Sequence, residues 1–260
     1  MIELRDISAG YNRTRILHNI NLSFEKGSIT SIIGKNGCGK TTLLKTAASI
    51  LKPLAGTVSL DGRDIATFPG KELAKLLSFL PQTRSIPNIT AYNLVMHGRY
   101  PYLGFSRTPR EEDRDIVRQA IESLNLEEYI HKNVRQLSGG QCQKVYLAML
   151  LAQNTDLVFL DEPTIYLDIN HKLEILEVIR QLKEMGKTIV MVLHDLGNAL
   201  MYSDRVCLLD QGEVVIFDSP EKVFESGEID RVFHVSSTQI RLEFEAGGGE
   251  QKQYLFSLKA

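Results

Sequence analysis

The feature that most constrains this chain is the segment GKNGCGKT at residues 34–41, which fits the pattern G-x-x-x-x-G-K-S/T. The apolar, β-branched run at 28–33 before it predicts a buried strand, and the run at 42–48 after it predicts a helix. A glycine-rich loop in that context presents backbone N–H groups to an anion, and the helix dipole adds positive potential. The segment therefore predicts a phosphate-binding loop in which Lys40 reaches the β- and γ-phosphates and the Thr41 hydroxyl meets Mg²⁺.

The composition is that of a globular protein and argues against the nucleic-acid-binding, membrane-spanning and secreted classes. With 260 residues, 43% apolar and 24% charged, the chain has room for one large or two small globular domains. Its net charge of −2 lacks the basic excess of nucleic-acid-binding domains, so we expect no nucleic-acid partner. No apolar run approaches the roughly 18–20 residues of a membrane helix, and we expect no secretory signal at the N-terminus. The three cysteines, Cys38, Cys142 and Cys207, match no metal-binding spacing and suit a reducing cytosol.

The hydrophobic periodicity predicts an α/β fold. Apolar runs at 157–160 and 188–193 predict buried strands, and residues 110–126 have the apolar spacing of a helix. Buried strands that alternate with helices indicate a largely parallel sheet, here preceded by a β-rich N-terminal segment. The predicted division is a domain at 1–235 with a helical insertion at about 83–154, then a β-hairpin extension at 236–260 that turns at Ala246-Gly247-Gly248-Gly249.

Polar residues follow several of these strands at their carboxyl ends, where parallel sheets bind ligands. Asp161 and Glu162 end one strand, His194 ends another, and Gln82 follows a third. Asp161 would hold Mg²⁺, largely through water, and Glu162 could orient or deprotonate an attacking water. His194 could bond the γ-phosphate and steady that water. Together with the loop, these residues predict a phosphoryl-transfer site.

The order of these motifs resembles the ATP-binding subunits of ABC transporters over nearly the whole chain. Residues 137–141 read LSGGQ, the signature of that family, and lie about twenty residues before Asp161. Small departures are Cys142 and Lys144 in place of the usual arginines, and Ile165 where a small polar residue is common. The shared order is Tyr11, the phosphate loop, Gln82, the signature, Asp161-Glu162, Leu167-Asp168 and His194.

The resemblance implies a P-loop NTPase core of the ABC type that hydrolyses ATP with Mg²⁺. Two copies would dimerise head to tail and enclose two ATP molecules, with Lys40, Glu162 and His194 as catalytic residues. Thr41, Gln82 and Asp161 would hold the metal. The expected ATP contacts are Tyr11, stacked on adenine, and Gly34, Lys35, Asn36, Gly37, Cys38, Gly39, Lys40, Thr41, Thr42 and Gln82, joined from the second copy by Ser138, Gly139, Gly140, Gln141 and Asp168.

Residues 98–104 and 166–176 further resemble importers of iron–siderophore complexes, haem and cobalamin. This narrower resemblance implies a subunit at the cytoplasmic face of the membrane that drives metal-chelate import through a permease, contacted through residues 83–136. An extracytoplasmic substrate-binding protein would be an indirect partner. Arginines make the contact region locally basic. This basic region is either a solvated face or a surface that docks against the permease or acidic lipid headgroups. The arginines are Arg99, Arg107, Arg110, Arg114 and Arg118.

Several alternatives remain open from the sequence. The chain is compatible with import of another substrate, or with a soluble ABC ATPase that has no transport role. The identity of the cargo, the homodimeric or heterodimeric nature of the cassette pair and the role of the terminal hairpin are also open. Cys38 is interpreted as a small residue that fits the loop, and its redox regulation stays undecided.

Overall fold

The structure is a computed structural model that describes residues 1–12, 14–82, 85–105, 108–243 and 250–258. These residues form twelve β-strands and nine α-helices. The strands are β1 Ile2–Tyr11, β2 Thr14–Phe24, β3 Ile29–Ile33, β4 Ala55–Leu60, β5 Arg63–Asp64, β6 Leu77–Leu80, β7 Leu157–Asp161, β8 Thr188–Val192, β9 Arg205–Asp210, β10 Glu213–Asp218, β11 Val235–Glu243 and β12 Glu250–Leu258. The helices are α1 Lys40–Ala47, α2 Gly70–Leu76, α3 Ala91–His97, α4 Glu111–Glu122, α5 Gly139–Gln153, α6 Ile169–Glu184, α7 Leu196–Tyr202, α8 Pro220–Glu225 and α9 Glu228–Phe233.

The chain divides into two compact units. The first contains Met1–Ala66 together with the residues from Val190 onward, and the second is Thr67–Ile189. The second unit extends beyond the predicted insertion at 83–154 on both sides, because it also contains β6 and β7.

The first unit contains an antiparallel sheet in the order β2-β1-β4-β5. In β2 the alternating residues Ile20, Leu22 and Phe24 are buried, because successive side chains of a strand point to opposite faces of the sheet. In the same unit, strands follow the order β10-β9-β3-β8, with β3 parallel to β9. Every residue of β3 and β8 is buried, so their continuous apolar sequence reflects a strand covered on both faces.

The second unit combines a parallel strand pair with helices. Strands β6 and β7 pair in parallel, with Leu80 opposite Leu160. Helices α3 and α4 pack against α5, and each contributes fully buried aliphatic side chains. Helix α4 ends at Glu122, four residues before the predicted end at 126, because the chain turns at Asn125, whose φ is 52°.

A two-stranded antiparallel sheet, β11 with β12, lies at the C-terminal end of the first unit. The Tyr254 ring is buried against Phe224 of α8, with ring centroids 5.0 Å apart. The Asp230 carboxylate accepts a hydrogen bond of 3.1 Å from the Ser237 backbone N–H. The predicted turn at Ala246-Gly247-Gly248-Gly249 lies outside the described residues. None of the helices within the described ranges is long and apolar enough to cross a membrane.

We expect Phe159→Ala to destabilise the protein by about 3–5 kcal/mol, because Phe159 is fully buried in β7 and its truncation leaves a cavity. The measurement is the free energy of unfolding in urea. Phe105→Ala is the matched control, since Phe105 is fully exposed and should change stability by less than about 0.5 kcal/mol. Equal losses for both variants would contradict the burial of Phe159.

Candidate active site

The loop between β3 and α1 is curled tightly around its own backbone. Gly34, Gly37 and Gly39 have φ angles of 153°, 80° and 107°, in the region that side chains disfavour. A Cβ added at Gly34 would lie 2.1 Å from the carbonyl oxygen of Leu209. Gly39 caps α1 without a side-chain hydrogen bond, so the first N–H groups of the helix are left to the loop interior. This is the backbone geometry that binds phosphate.

The Lys40 side chain lies inside this curl and is only 6% exposed. Its Nζ donates to the carbonyl oxygens of Gly34 at 2.8 Å and Lys35 at 2.9 Å. The neighbouring Cys38 thiol is buried, and burial raises its pKa although Lys40 opposes the shift. A raised pKa keeps the thiol protonated at neutral pH, which favours its interpretation as a small packing residue.

Two further predicted residues belong to the same unit as the loop. Tyr11 is exposed at the end of β1, and the adjoining β2 approaches the loop, since a Cβ on Gly39 would lie 2.8 Å from Leu17 Cδ2. His194 follows β8 and is exposed. The Leu193 N–H donates to the Ile32 carbonyl oxygen at 3.3 Å, so β8 and β3 end side by side. The structure therefore places His194 at the sheet edge from which the phosphate loop leaves.

In the second unit, the pairing of β6 with β7 brings two predicted residues together. Gln82 Nε2 donates to Glu162 Oε2 at 2.7 Å, and both residues lie two positions beyond the Leu80–Leu160 pair. Asp161 and Glu162 are both buried. A glutamine amide that donates to one carboxylate oxygen helps to fix the orientation of the carboxyl group.

Glu162 also has an unusual backbone, with φ at 52°. A non-glycine residue in this left-handed region costs roughly 1–3 kcal/mol and persists only where its surroundings enforce it. Two hydrogen bonds hold the adjoining turn: the Ile165 N–H donates to the Glu162 carbonyl oxygen at 3.2 Å, and Gln143 Nε2 donates to the Pro163 carbonyl oxygen at 2.6 Å. The strain therefore lies at the residue predicted to act on water.

The LSGGQ segment forms the N-terminus of α5. Ser138 is the N-cap, and its Oγ accepts from the Gln141 N–H at 3.3 Å. The Gln141 side chain accepts in return from the Ser138 N–H at 3.1 Å, which completes a capping box. Ser138 and Gly139 are exposed, so this helix end is accessible to an external anion.

His171 connects the signature to Asp168, a contact that the sequence reasoning missed. The Asp168 carboxylate caps α6 by accepting from the His171 N–H at 2.9 Å, and His171 Nδ1 lies 2.8 Å from the same oxygen. The backbone hydrogen bond from His171, followed by the imidazole contact, lowers the pKa of Asp168. The His171 ring lies against Gly140, where an added Cβ would be 2.1 Å from Cδ2. The D-x-x-H spacing is the sequence signal for this contact, because an Asp that caps a helix lies close to the residue three positions later.

An anion-binding loop with a buried lysine, together with a buried Asp-Glu pair at a strand end, defines a P-loop nucleoside triphosphatase. The family model described as "ABC transporter" matches residues 17–165. The chain therefore belongs to the ABC transporter family, as an ATP-binding and ATP-hydrolysing cassette, which confirms the predicted family, fold class and enzyme class. Cassettes of this family are dimeric and act with membrane permease subunits.

Named relatives agree with this assignment. The iron(3+)-hydroxamate import ATP-binding protein FhuC of Bacillus subtilis is 41% identical over 239 residues, which cover 91% of this chain and 88% of that protein. A solved structure described as a dimeric bacterial ABC transporter cassette is 31% identical, with a TM-score of 0.74 over 85% of this chain and 99% of that one. An inward-facing ABC transporter assigned to the metal-chelate type has the same fold at 23% identity, with a TM-score of 0.85 over 99% of this chain and 98% of that one.

We expect Lys40→Ala to raise the dissociation constant for ATP at least about tenfold, a loss of ~1.4 kcal/mol, because the buried ammonium in the loop is removed. Isothermal titration with ATP and Mg²⁺ measures the change. Lys45→Ala, in the last turn of the same helix, is the matched control and should bind ATP as the wild type does. Unchanged affinity in the Lys40 variant, with an unchanged unfolding midpoint, would contradict the assignment.

Proposed function

We propose that this chain is the ATP-hydrolysing subunit of an importer for a metal chelate, such as an iron–siderophore complex, haem or cobalamin. The observation that carries the proposal is the identity of 41% with an iron(3+)-hydroxamate import ATP-binding protein over 91% of the chain. That similarity is supported by the two sequence stretches, 98–104 and 166–176, that resemble chelate importers. The permease and the chelate-binding protein would be separate chains.

The phosphate loop, residues 34–41, and the adjoining Thr42 bind the ATP phosphates in this proposal. Lys40 contacts the β- and γ-phosphates, and Tyr11 stacks on the adenine. The positive φ angles of the loop glycines and the inward Lys40 ammonium fit a polyphosphate.

Thr41, Gln82 and Asp161 would hold Mg²⁺. A hydroxyl, an amide oxygen and a carboxylate are the hard oxygen donors that this cation prefers. When bound, Mg²⁺ neutralises charge on the phosphate oxygens. The position of Asp161 supports this role, because it ends β7 at the sheet edge where parallel strands bind ligands.

Glu162 orients and deprotonates the attacking water, and His194 bonds the γ-phosphate and steadies that water. The hydrogen bond from Gln82 supports the Glu162 role, since it fixes the carboxylate that must point at the water. Through the same hydrogen bond, a movement of Gln82 would shift the Glu162 carboxylate.

A second copy of this chain completes the site with Ser138, Gly139, Gly140, Gln141 and Asp168. The capping box supports this arrangement, because the Ser138 hydroxyl accepts from Gln141 and retains its own proton for donation to a phosphate oxygen. The N-terminus of the 15-residue α5 contributes positive potential at the same place. ATP would therefore hold the two copies together until it is hydrolysed.

The permease contact is assigned to residues 83–136, on the cytoplasmic face of the membrane, with an extracytoplasmic substrate-binding protein as indirect partner. Exposed aromatic side chains at Tyr100 and Phe105 support an apolar contact. The positive charge expected on this face is smaller than the number of arginines indicates, because most of the described arginines pair with carboxylates. Arg99 is buried against Asp113, Arg114 pairs with Glu111, Arg118 pairs with Glu111 and Asp115, and Arg107 lies outside the described residues.

We expect Glu162→Gln to keep ATP binding and to lower turnover at least about a hundredfold, because the general base is lost. The bound ATP should then trap a dimer, seen by size-exclusion chromatography with ATP. Glu177→Gln is the control, since Glu177 lies on the exposed face of α6 and pairs only with Arg180 among the described contacts. A Glu162 variant that stays monomeric, or hydrolyses ATP normally, would contradict the assignment.

Import is tested in two steps. The Glu162→Gln protein, captured with ATP from solubilised membranes, should bring membrane subunits with it. Cells that lack the gene should lose uptake of one labelled chelate among ferric hydroxamate, haem and cobalamin, and the wild type, but not Glu162→Gln, should restore it. Capture of no membrane subunit would favour a soluble ATPase, and normal uptake of all three chelates would refute chelate import.

A further inference from the structure

A buried ion pair lies next to the proposed permease contact. Arg99 and Asp113 are only 5% and 6% exposed, and Arg99 Nε donates to Asp113 Oδ1 at 2.9 Å. The guanidinium also stacks on Tyr102, with Cζ 3.8 Å from the ring centroid. A buried ion pair costs desolvation energy and often adds little net stability, so the main effect of this pair is to fix the position of the Arg99 guanidinium.

Both members of this stack bind the last turn of α5. Arg99 Nη1 donates to the Ala152 carbonyl oxygen at 2.9 Å, and the Tyr102 hydroxyl donates to the Gln153 carbonyl oxygen at 2.8 Å. The last carbonyls of a helix have no partner within the helix, and a cation there also complements the helix dipole. Arg99 and Tyr102 therefore act as the C-terminal cap of α5.

The backbone before Arg99 touches the same helix directly. A Cβ added at Gly98 would lie 2.2 Å from the Met149 carbonyl oxygen and 2.9 Å from the Gln153 nitrogen. No other residue type fits this approach without displacing one backbone from the other. Gln153 extends the attachment further, since its side chain donates to the carbonyl oxygens of Ala74 at 2.7 Å and Leu77 at 3.2 Å.

The other end of α5 carries the signature. The helix has 15 residues and is therefore about 22 Å long. No proline or glycine interrupts it after Gly140, and most of its residues are buried. A displacement of its last turn is thus transmitted as a rigid-body movement to Ser138.

Residues 100–104, which follow Arg99 and include Tyr102, form a segment that is partly exposed on the surface. Tyr100 is 57% exposed, and a cavity of about 460 Å³ is lined by Lys71, Tyr100, Leu103 and Gly104. Lys71 Nζ donates to the Leu103 carbonyl oxygen at 2.7 Å, which fixes this wall of the cavity. The segment is therefore held in place by hydrogen bonds and has an exposed side that a partner protein can contact.

We propose that Arg99 and Tyr102 are positioning residues that lock the 100–104 segment to the last turn of the signature helix. Pressure from the permease on this segment then moves Ser138 at the opposite end of α5. The inference rests on the proposed function, because it takes the permease as the partner and ATP-bound dimer closure as the result.

The contact between the 100–104 segment and α5 is tested on the isolated full chain by pulsed electron–electron double resonance. Spin labels are placed by Gly104→Cys, where an added side chain meets open space, and by Lys144→Cys on α5. The three native cysteines are buried and should resist labelling. The distribution of distances between the labels at positions 104 and 144 should be narrow in the protein that keeps Tyr102, and it should broaden in Tyr102→Leu. An equally narrow distribution in both proteins would overturn the lock.

Transmission is tested in the transporter captured with its membrane subunits. Tyr102→Phe keeps the ring on Arg99 and removes only the hydrogen bond to α5, so it should lower permease stimulation of ATP hydrolysis at least about fivefold. ATPase activity and the unfolding midpoint of the isolated cassette should stay near wild type. Tyr129→Phe, in the same unit but stacked with Lys132, is the matched control.

The outcomes separate the two proposals. Unchanged stimulation in Tyr102→Phe would refute transmission, and a proportional loss in the isolated cassette would show a purely structural role. Absence of a membrane subunit would refute the proposed function, while the spin-label distances would still decide whether the lock exists.

Discussion

Parallel strand pairing is the constraint on which the site depends. Parallel strands end at the same edge of a sheet, so the residues that follow them become neighbours. In the first unit, this rule places His194 at the edge from which the phosphate loop leaves. In the second unit, it places Gln82 within hydrogen-bond distance of Glu162, although 80 positions separate them in the chain. A slip of one residue in the β6–β7 register would turn these side chains to opposite faces.

The residues that are assigned to the partner's nucleotide also maintain the fold of their own chain. Ser138 and Gln141 cap α5, and Asp168 caps α6. A helix cap contributes about 1 kcal/mol, so substitution of these residues affects local helix stability as well as any contact across a dimer. The exposed cap is also what makes a helix end suitable for an anion. The observed structural roles and the proposed nucleotide contacts therefore coincide at these positions.

The parts of the fold that depend on local patterns could be predicted from the sequence. The strand runs and the phosphate loop are encoded within a few neighbouring residues, and the structure has them where the sequence predicts them. Contacts that depend on long-range packing could not be predicted. The Gln82–Glu162 hydrogen bond requires the strand register, and the burial of Arg99 requires Asp113 and the end of α5. A count of arginines cannot distinguish a solvated cation from one that caps a helix.

The left-handed backbone at Glu162 has a consequence for how this protein can change over time. Glycine or asparagine would occupy that conformation at lower backbone cost, so the residue proposed as the general base is not the one that this backbone favours. With the proposed role of Glu162, selection for backbone stability and selection for ATP turnover would act in opposite directions at this position. A cassette that drifts toward higher stability at this position would remain folded and would still bind nucleotide, but it would become a protein that holds ATP instead of consuming it.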